Sequence, residues 1–144
     1  MNETVETKWI GNMAFESAID HYRIYMDADE KFGGTKKGPR PKPLVLSALA
    51  GCTGMDVISI LAKKKIIPDS FVMKVTGELS EDHPKYYKNI TIVFELTGSN
   101  FENNSDIFSK VQRAVQLSTE NYCGVNAMLK NSCLITHQII LKNS

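Results

Sequence analysis

Leu44 to Ala62 reads LVLSALAGCTGMDVISILA, opened by Pro43 and closed by Lys63, Lys64 and Lys65. Proline suits the first helical position and lysine charges suit a helix C-terminus, so the stretch reads as a helix that is apolar nearly all round. Its nineteen residues could just cross a bilayer. Asp56 inside would cost about 2.5 to 3.5 kcal/mol there, however, and no aromatic belt flanks the segment. The expectation is therefore a helix at the centre of a soluble protein with no membrane partner. Ser47, Gly51 and Gly54 place small side chains on neighbouring turns, which lets another helix cross at close range. That helix could be its own copy: one subunit's strands provide little cover for an all-round apolar helix, so a tight homodimer is expected.

Outward from this helix the pattern changes on both sides. Before it, Lys31 to Lys42 (KFGGTKKGPRPK) has five basic residues, three glycines, two prolines and no acid, and reads as a loop. It is either a solvated connection or an active-site flap with an anion contact, since long loops in compact domains are often functional. Trp9 to Met26 reads as a strand, a turn at Asp20-His21 and a second strand. After the helix, Phe71, Met73, Val75 and Leu79 alternate with polar residues, as do Ile90, Ile92, Phe94 and Leu96, which predicts a hairpin. Ser105 or Asp106 caps a second helix to about Tyr122, Gly124 to Lys130 gives one or two helical turns, and Leu134 to Leu141 a last strand. The order β-β-α-β-β-α-(short α)-β, with strands grouped in hairpins between two long helices, argues for an α+β fold in one domain, residues 1–144.

The whole chain has 144 residues, 42% hydrophobic and 23% charged, enough for one core without metal or disulfide support. Seventeen basic against sixteen acidic residues leave a net charge of +1, which gives no global field for nucleic acid or an anionic membrane. Met1 to Glu6 is polar and holds two glutamates, unlike a secretory signal. Cytoplasmic location follows as an expectation. An odd number of cysteines, three, then implies reduced thiols.

Those cysteines are the candidates for chemistry. Cys52 lies inside the apolar helix and reads either as a small core hydrophobe or as a reactive thiol. Cys123 stands where the second helix ends and a short one begins, and a helix N-terminus favours the thiolate, so local chemistry makes it the more acidic thiol. Cys133 and His137 read as core residues of the last strand. At about 3.3 Å per strand residue those two are roughly 13 Å apart, too far to share a zinc ion, and no Cys-x-x-Cys or His-x-x-x-His spacing occurs. No metal and no cofactor are expected. A phosphate-cradling glycine loop and a serine nucleophile elbow are absent too.

The segments GPRPKPLVLSALAGCTGMDVISIL, STENYCGVNAML and CLITHQIIL together resemble the OsmC/Ohr family, osmotically inducible and organic hydroperoxide resistance proteins. The likeness spans nearly the whole chain and is strongest from Gly38 to Leu61, closer to a less characterised branch than to the established peroxidases. It implies β-sheets wrapped around long central helices in an intertwined homodimer, with two sites at the subunit interface. In the implied chemistry the Cys52 thiolate attacks a peroxide O–O bond, becomes a sulfenic acid and is captured by Cys123 as a disulfide, which an external dithiol reduces. The peroxidases' arginine would fall within Gly11-Asn12-Met13-Ala14 and their glutamate near Lys42-Pro43, and neither is present. Arg40, then Arg23, are the candidates to supply the missing charge, without which a thiolate two turns inside a helix should have a raised pKa.

The resemblance thus implies a thiol-dependent reductase of organic hydroperoxides working through Cys52 and Cys123 with Arg40 or Arg23. The alternative is an OsmC-like module that binds a small hydrophobic or acyl ligand or senses redox state.

Overall fold

A computed structural model of the chain describes Met1–Ser144, which form two compact units, Met1–Val45 and Leu46–Ser144. The first is built on an antiparallel meander of β1 (Glu6–Gly11), β2 (Ala14–Ile19) and β3 (Tyr22–Met26). The sequence pattern predicts one strand fewer. Trp9 and Phe15, read as one strand, face each other across a hairpin instead. The chain reverses at Asn12 (φ 47°), whose carbonyl accepts a 2.8 Å hydrogen bond from the Trp9 indole, and again at Asp20 (φ 51°). Asparagine and aspartate tolerate this left-handed backbone better than most residues.

The basic segment that follows is exposed to solvent, as the solvated-connection reading expects, but is tethered to Asp27. Asp27, 2% exposed, accepts hydrogen bonds from the backbone of Ala28 (2.8 Å), Thr35 (3.0 Å) and Lys37 (3.1 Å) and from the Thr35 hydroxyl (3.3 Å). Its own amide donates to the Pro39 carbonyl at 3.0 Å. A Cβ on Gly34 would collide with the Ala28 carbonyl, and one on Gly38 with that of Tyr25, so the glycines let the loop close around the carboxylate.

Helix α1 (Pro41–Lys63) starts two residues before the expected Pro43, with Pro41 in its first position. Only Leu49, Thr53, Val57 and Leu61 are buried, one stripe at a spacing of four. A single chain therefore does not cover the helix all round: Val45, Met55 and Ile58 are exposed. The small-residue stripe also divides, because Gly54 packs on Met73 and Phe71 whereas Gly51 has nothing within 4 Å of where its Cβ would be.

In the second unit β4 (Ser70–Leu79) and β5 (Tyr87–Gly98) pair antiparallel, as the alternation predicts. Leu79 is the exception, exposed beyond a register shift at Glu78/Leu79. β6 (Leu134–Asn143) pairs parallel to β5, giving the order β4-β5-β6. Helix α2 (Ser105–Leu117) connects that parallel pair and is capped by the Asn104 side chain, one residue earlier than expected, at 3.1 Å from the Ile107 amide. The inward residues of β5, Ile90, Ile92, Phe94 and Leu96, meet Leu49, Val57 and Leu61 of α1 and Val111 and Val115 of α2 in one core. The architecture is α+β. His137, expected in the core, is exposed on the edge strand β6, where its ring lies edge-on to Phe94 at 6.2 Å.

Candidate active site

The expected straight run of α2 to Tyr122 stops at Leu117, and Ser118–Tyr122 winds as a single π-helical turn. Such wider turns re-aim side chains and recur at functional sites. The Cys123 amide closes the turn on the Ser118 carbonyl at 2.8 Å, and Cys123 then caps the short helix α3 (Gly124–Leu129). The turn carries Ser118 and Cys123 onto one face of α1.

There the Cys52 sulfur, the Cys123 sulfur and a carboxylate oxygen of Asp56 all lie within 4.8 Å of one another. Asp56 stands one helical turn after Cys52, so the two share a face of α1. Its Oδ2 accepts a 2.8 Å hydrogen bond from the Ser118 hydroxyl. Cys123 is 3% exposed, Cys52 is half-buried, and all three cysteines are free thiols. Two donors point at the Cys123 sulfur: the Thr53 hydroxyl at 3.4 Å and the Asn126 amide at 3.3 Å.

The electrostatics overturn one expectation. Burial pushes the Cys123 thiol above its ordinary pKa, the adjoining Cys52 thiol pushes it further, and Thr53 and Asn126 only partly offset them. The six-residue α3 offers too little dipole to reverse that desolvation. Cys133 is likewise raised by burial alone, and its thiol donates to the Leu129 carbonyl at 3.4 Å just before β6. It has no thiol beside it.

A cleft of 560 Å³ is lined by Asp56, Ile60, Lys63, Lys64, Leu117 and Tyr122, so it touches the carboxylate but neither thiol. A separate cavity of 640 Å³ lies along β5 and β6 against Asn126, Cys133 and His137 and does not include the thiol pair.

The structure thus brings Cys52 and Cys123 together, as the sequence reading expects. Arg23 and Arg40 belong to the other unit. Arg23, on β3, lies 3.6 Å from the Glu16 carboxylate and donates to the Tyr22 carbonyl. Arg40 is exposed and directly precedes α1. Asp56, Thr53 and Ser118 escape the sequence reading, which treats Asp56 only as a charge unfavourable to membrane insertion. The spacing of four residues between Cys52 and Asp56 was the available signal.

Several known proteins are similar to this chain in sequence or in structure. The pattern of the OsmC-like protein family matches residues 34–138. Protein YhfA of Escherichia coli strain K12 is 36% identical over 132 residues, which cover 90% of this chain and 91% of that protein. The crystal structure of a hypothetical protein from Aquifex aeolicus VF5 superposes with a TM-score of 0.85 at 29% identity, covering 100% of this chain and 98% of that one. The organic hydroperoxide resistance protein OhrB of Bacillus subtilis superposes with a TM-score of 0.65 at 16% identity, covering 96% of this chain and 98% of that one. At that identity the likeness is one of fold.

Proposed function

The chain belongs to the OsmC-like family, and from that premise we propose that it is a thiol-dependent reductase of organic hydroperoxides. The observation that carries the reading is the convergence of two free thiols and a carboxylate within 4.8 Å. Cys52, the more accessible sulfur, attacks the peroxide, and Asp56 takes the thiol proton. The thiolate bonds to one peroxide oxygen, the O–O bond breaks, and the leaving alkoxide recovers a proton from Asp56 to become the alcohol. Cys52 is then a sulfenic acid. Cys123 attacks its sulfur, hydroxide leaves with the Cys123 proton as water, and the two sulfurs close from within 4.8 Å to a disulfide bond of about 2.05 Å. An external dithiol returns two electrons and two protons.

The raised Cys123 pKa suits a resolving thiol that stays protonated until the sulfenic acid forms. The apolar wall of the cleft at Asp56, formed by Ile60, Leu117 and Tyr122, suits the organic group of the peroxide. That same wall favours the second reading, a module holding a small hydrophobic or acyl ligand. Cytosolic location would keep the thiols reduced between turnovers. The exposed Val45, Met55 and Ile58 of α1 support a homodimer, and sedimentation equilibrium at micromolar protein should return twice the mass of one chain.

The deciding experiment follows consumption of cumene hydroperoxide with a dithiol reductant. Wild type should turn over, Cys52→Ser should fall to the uncatalysed background, and peptide mapping after one equivalent of peroxide should give a Cys52–Cys123 bridge. A wild type no faster than Cys52→Ser hands the assignment to the ligand-binding reading.

A further inference from the structure

We propose that the reduced site binds a thiophilic divalent cation, zinc(II) above all, through the sulfurs of Cys52 and Cys123 and a carboxylate oxygen of Asp56. Binding and the disulfide would then exclude each other. This goes beyond peroxide chemistry and does not depend on it.

The donor set carries the inference. Zinc takes thiolate sulfur at about 2.3 Å and carboxylate oxygen at about 2.0 to 2.2 Å in a tetrahedron, which sets its ligand atoms about 3.6 to 3.8 Å apart. The three atoms already stand within 4.8 Å of one another, so side-chain adjustments of about an ångström complete the triangle. Two thiolates with one oxygen suit zinc better than magnesium or calcium, which prefer oxygen alone. The surroundings resemble an outer coordination shell. Ser118 holds the Asp56 carboxylate through Oδ2, and Thr53 and Asn126 donate to the Cys123 sulfur, as they would to a ligating thiolate. Three protein donors leave the fourth position to water, and the Asp56 donor borders an open cleft. The sequence gives no hint of such a site because these donors sit at positions 52, 56 and 123, a spacing that matches no familiar zinc pattern.

The protons and electrons balance simply. One cation displaces one proton from each thiol, so two protons leave to buffer for each cation bound. Diamide, an azo oxidant, takes two electrons and two protons from the pair, leaves the disulfide and removes both sulfur ligands, so the cation must depart.

The test is an anaerobic titration of reduced protein with zinc(II) against a chromophoric chelator, repeated with cobalt(II), whose sulfur-to-cobalt charge-transfer band reports thiolate ligation. Expected are one equivalent per chain, a cobalt–thiolate band, and full release on adding diamide to the same sample. Cys52→Ser and Cys123→Ser should each weaken binding at least about a hundredfold and Asp56→Asn about tenfold, whereas Cys133→Ser should change nothing. Because diamide release is read on wild-type protein, a misfolded variant cannot decide the matter. Retention of the cation after disulfide formation, a cobalt spectrum without the thiolate band, or loss of binding in Cys133→Ser would overturn the proposal. Failure of peroxide turnover would leave all these readings unaffected.

Discussion

Asp27 and Asp56 are both held in place by hydrogen bonds, yet the two carboxylates are used in opposite ways. Asp27 accepts four hydrogen bonds, three from backbone amides and one from a hydroxyl, and ties a loop of eleven residues from 27 to 37 around itself. Asp56 accepts one, from Ser118, and has both thiols within 4.8 Å. A carboxylate whose acceptor capacity is spent on backbone fixes structure. One with capacity left over can take a proton or a cation.

Substitution should separate the two roles. The larger effect on peroxide turnover is expected at Asp56. Asp56→Asn keeps the shape but removes the proton acceptor, so turnover should fall about a hundredfold or more while the melting temperature moves little. Turnover within a factor of two of wild type would break the comparison, since Asp56 would then be a structural partner of Ser118 and no more. Asp27→Asn should give the reverse: a fall in Tm of several degrees, because an amide group cannot accept from three backbone N–H groups as a carboxylate does, with near-normal turnover for the molecules that remain folded.

Acid should sharpen the same contrast. Hydrogen bonding, first from the Thr35 amide and then from Lys37 and Ala28, lowers the Asp27 pKa below the ordinary 3.8. The unfolded chain therefore takes up this proton at a higher pH than the folded one. The stability it contributes is present above the unfolded pKa and drains away as pH falls from about 5 through the folded value. Glu16 and Glu78, also lowered, add to the same slope and remain in the variant. The Tm of Asp27→Asn should accordingly depend less on pH below 5 than that of wild type. Parallel Tm curves for the two proteins would remove Asp27 from the acid response.

What the sequence reveals of this molecule follows how local the cause is. β4 and β5 are legible because one face is covered, half-buried in β4 and buried in β5, and the alternation is strict from Phe71 to Val75 and from Ile90 to Leu96. β1 and β2 are not, because Trp9, Met13 and Phe15 stay exposed, and Trp9 and Phe15 share a face by pairing across a hairpin rather than by alternating along one strand. The ends of α1 follow from proline and lysine chemistry within two residues. The cysteine pair is legible only through resemblance, for nothing near Cys52 announces Cys123. The π-helical turn, which carries Ser118 and Cys123 to α1, arises from tertiary packing and leaves no periodic mark. Cys123 shows the limit most clearly: its local signal, a helix start, lowers a thiol pKa, but burial and Cys52 come from elsewhere in the fold and win.

The smallest effect is expected at Arg40. The resemblance to the family's peroxidases implies an arginine that favours the attacking thiolate, and none stands within Gly11-Asn12-Met13-Ala14, where it would be expected. Of the two candidates Arg23 is already engaged by Glu16, whereas Arg40 makes no ion pair and is exposed, so its removal should leave Tm unchanged. Twelve residues of α1, about 18 Å of helical rise, separate Arg40 from Cys52 along the chain. Its proposed part would therefore require the proposed homodimer to bring Arg40 of a second copy to the thiol. A guanidinium offers a planar fork that holds a thiolate and a peroxide oxygen together, and a lysine ammonium does not. Arg40→Met should slow peroxide consumption about tenfold, roughly 1.4 kcal/mol of lost transition-state stabilisation, and Arg40→Lys should recover only part of it. Full activity in Arg40→Met with loss in Arg23→Met would transfer the role to Arg23. Full activity in both would mean that the thiol pair and Asp56 work without an arginine, which separates this branch from the peroxidases more sharply than the missing residues alone.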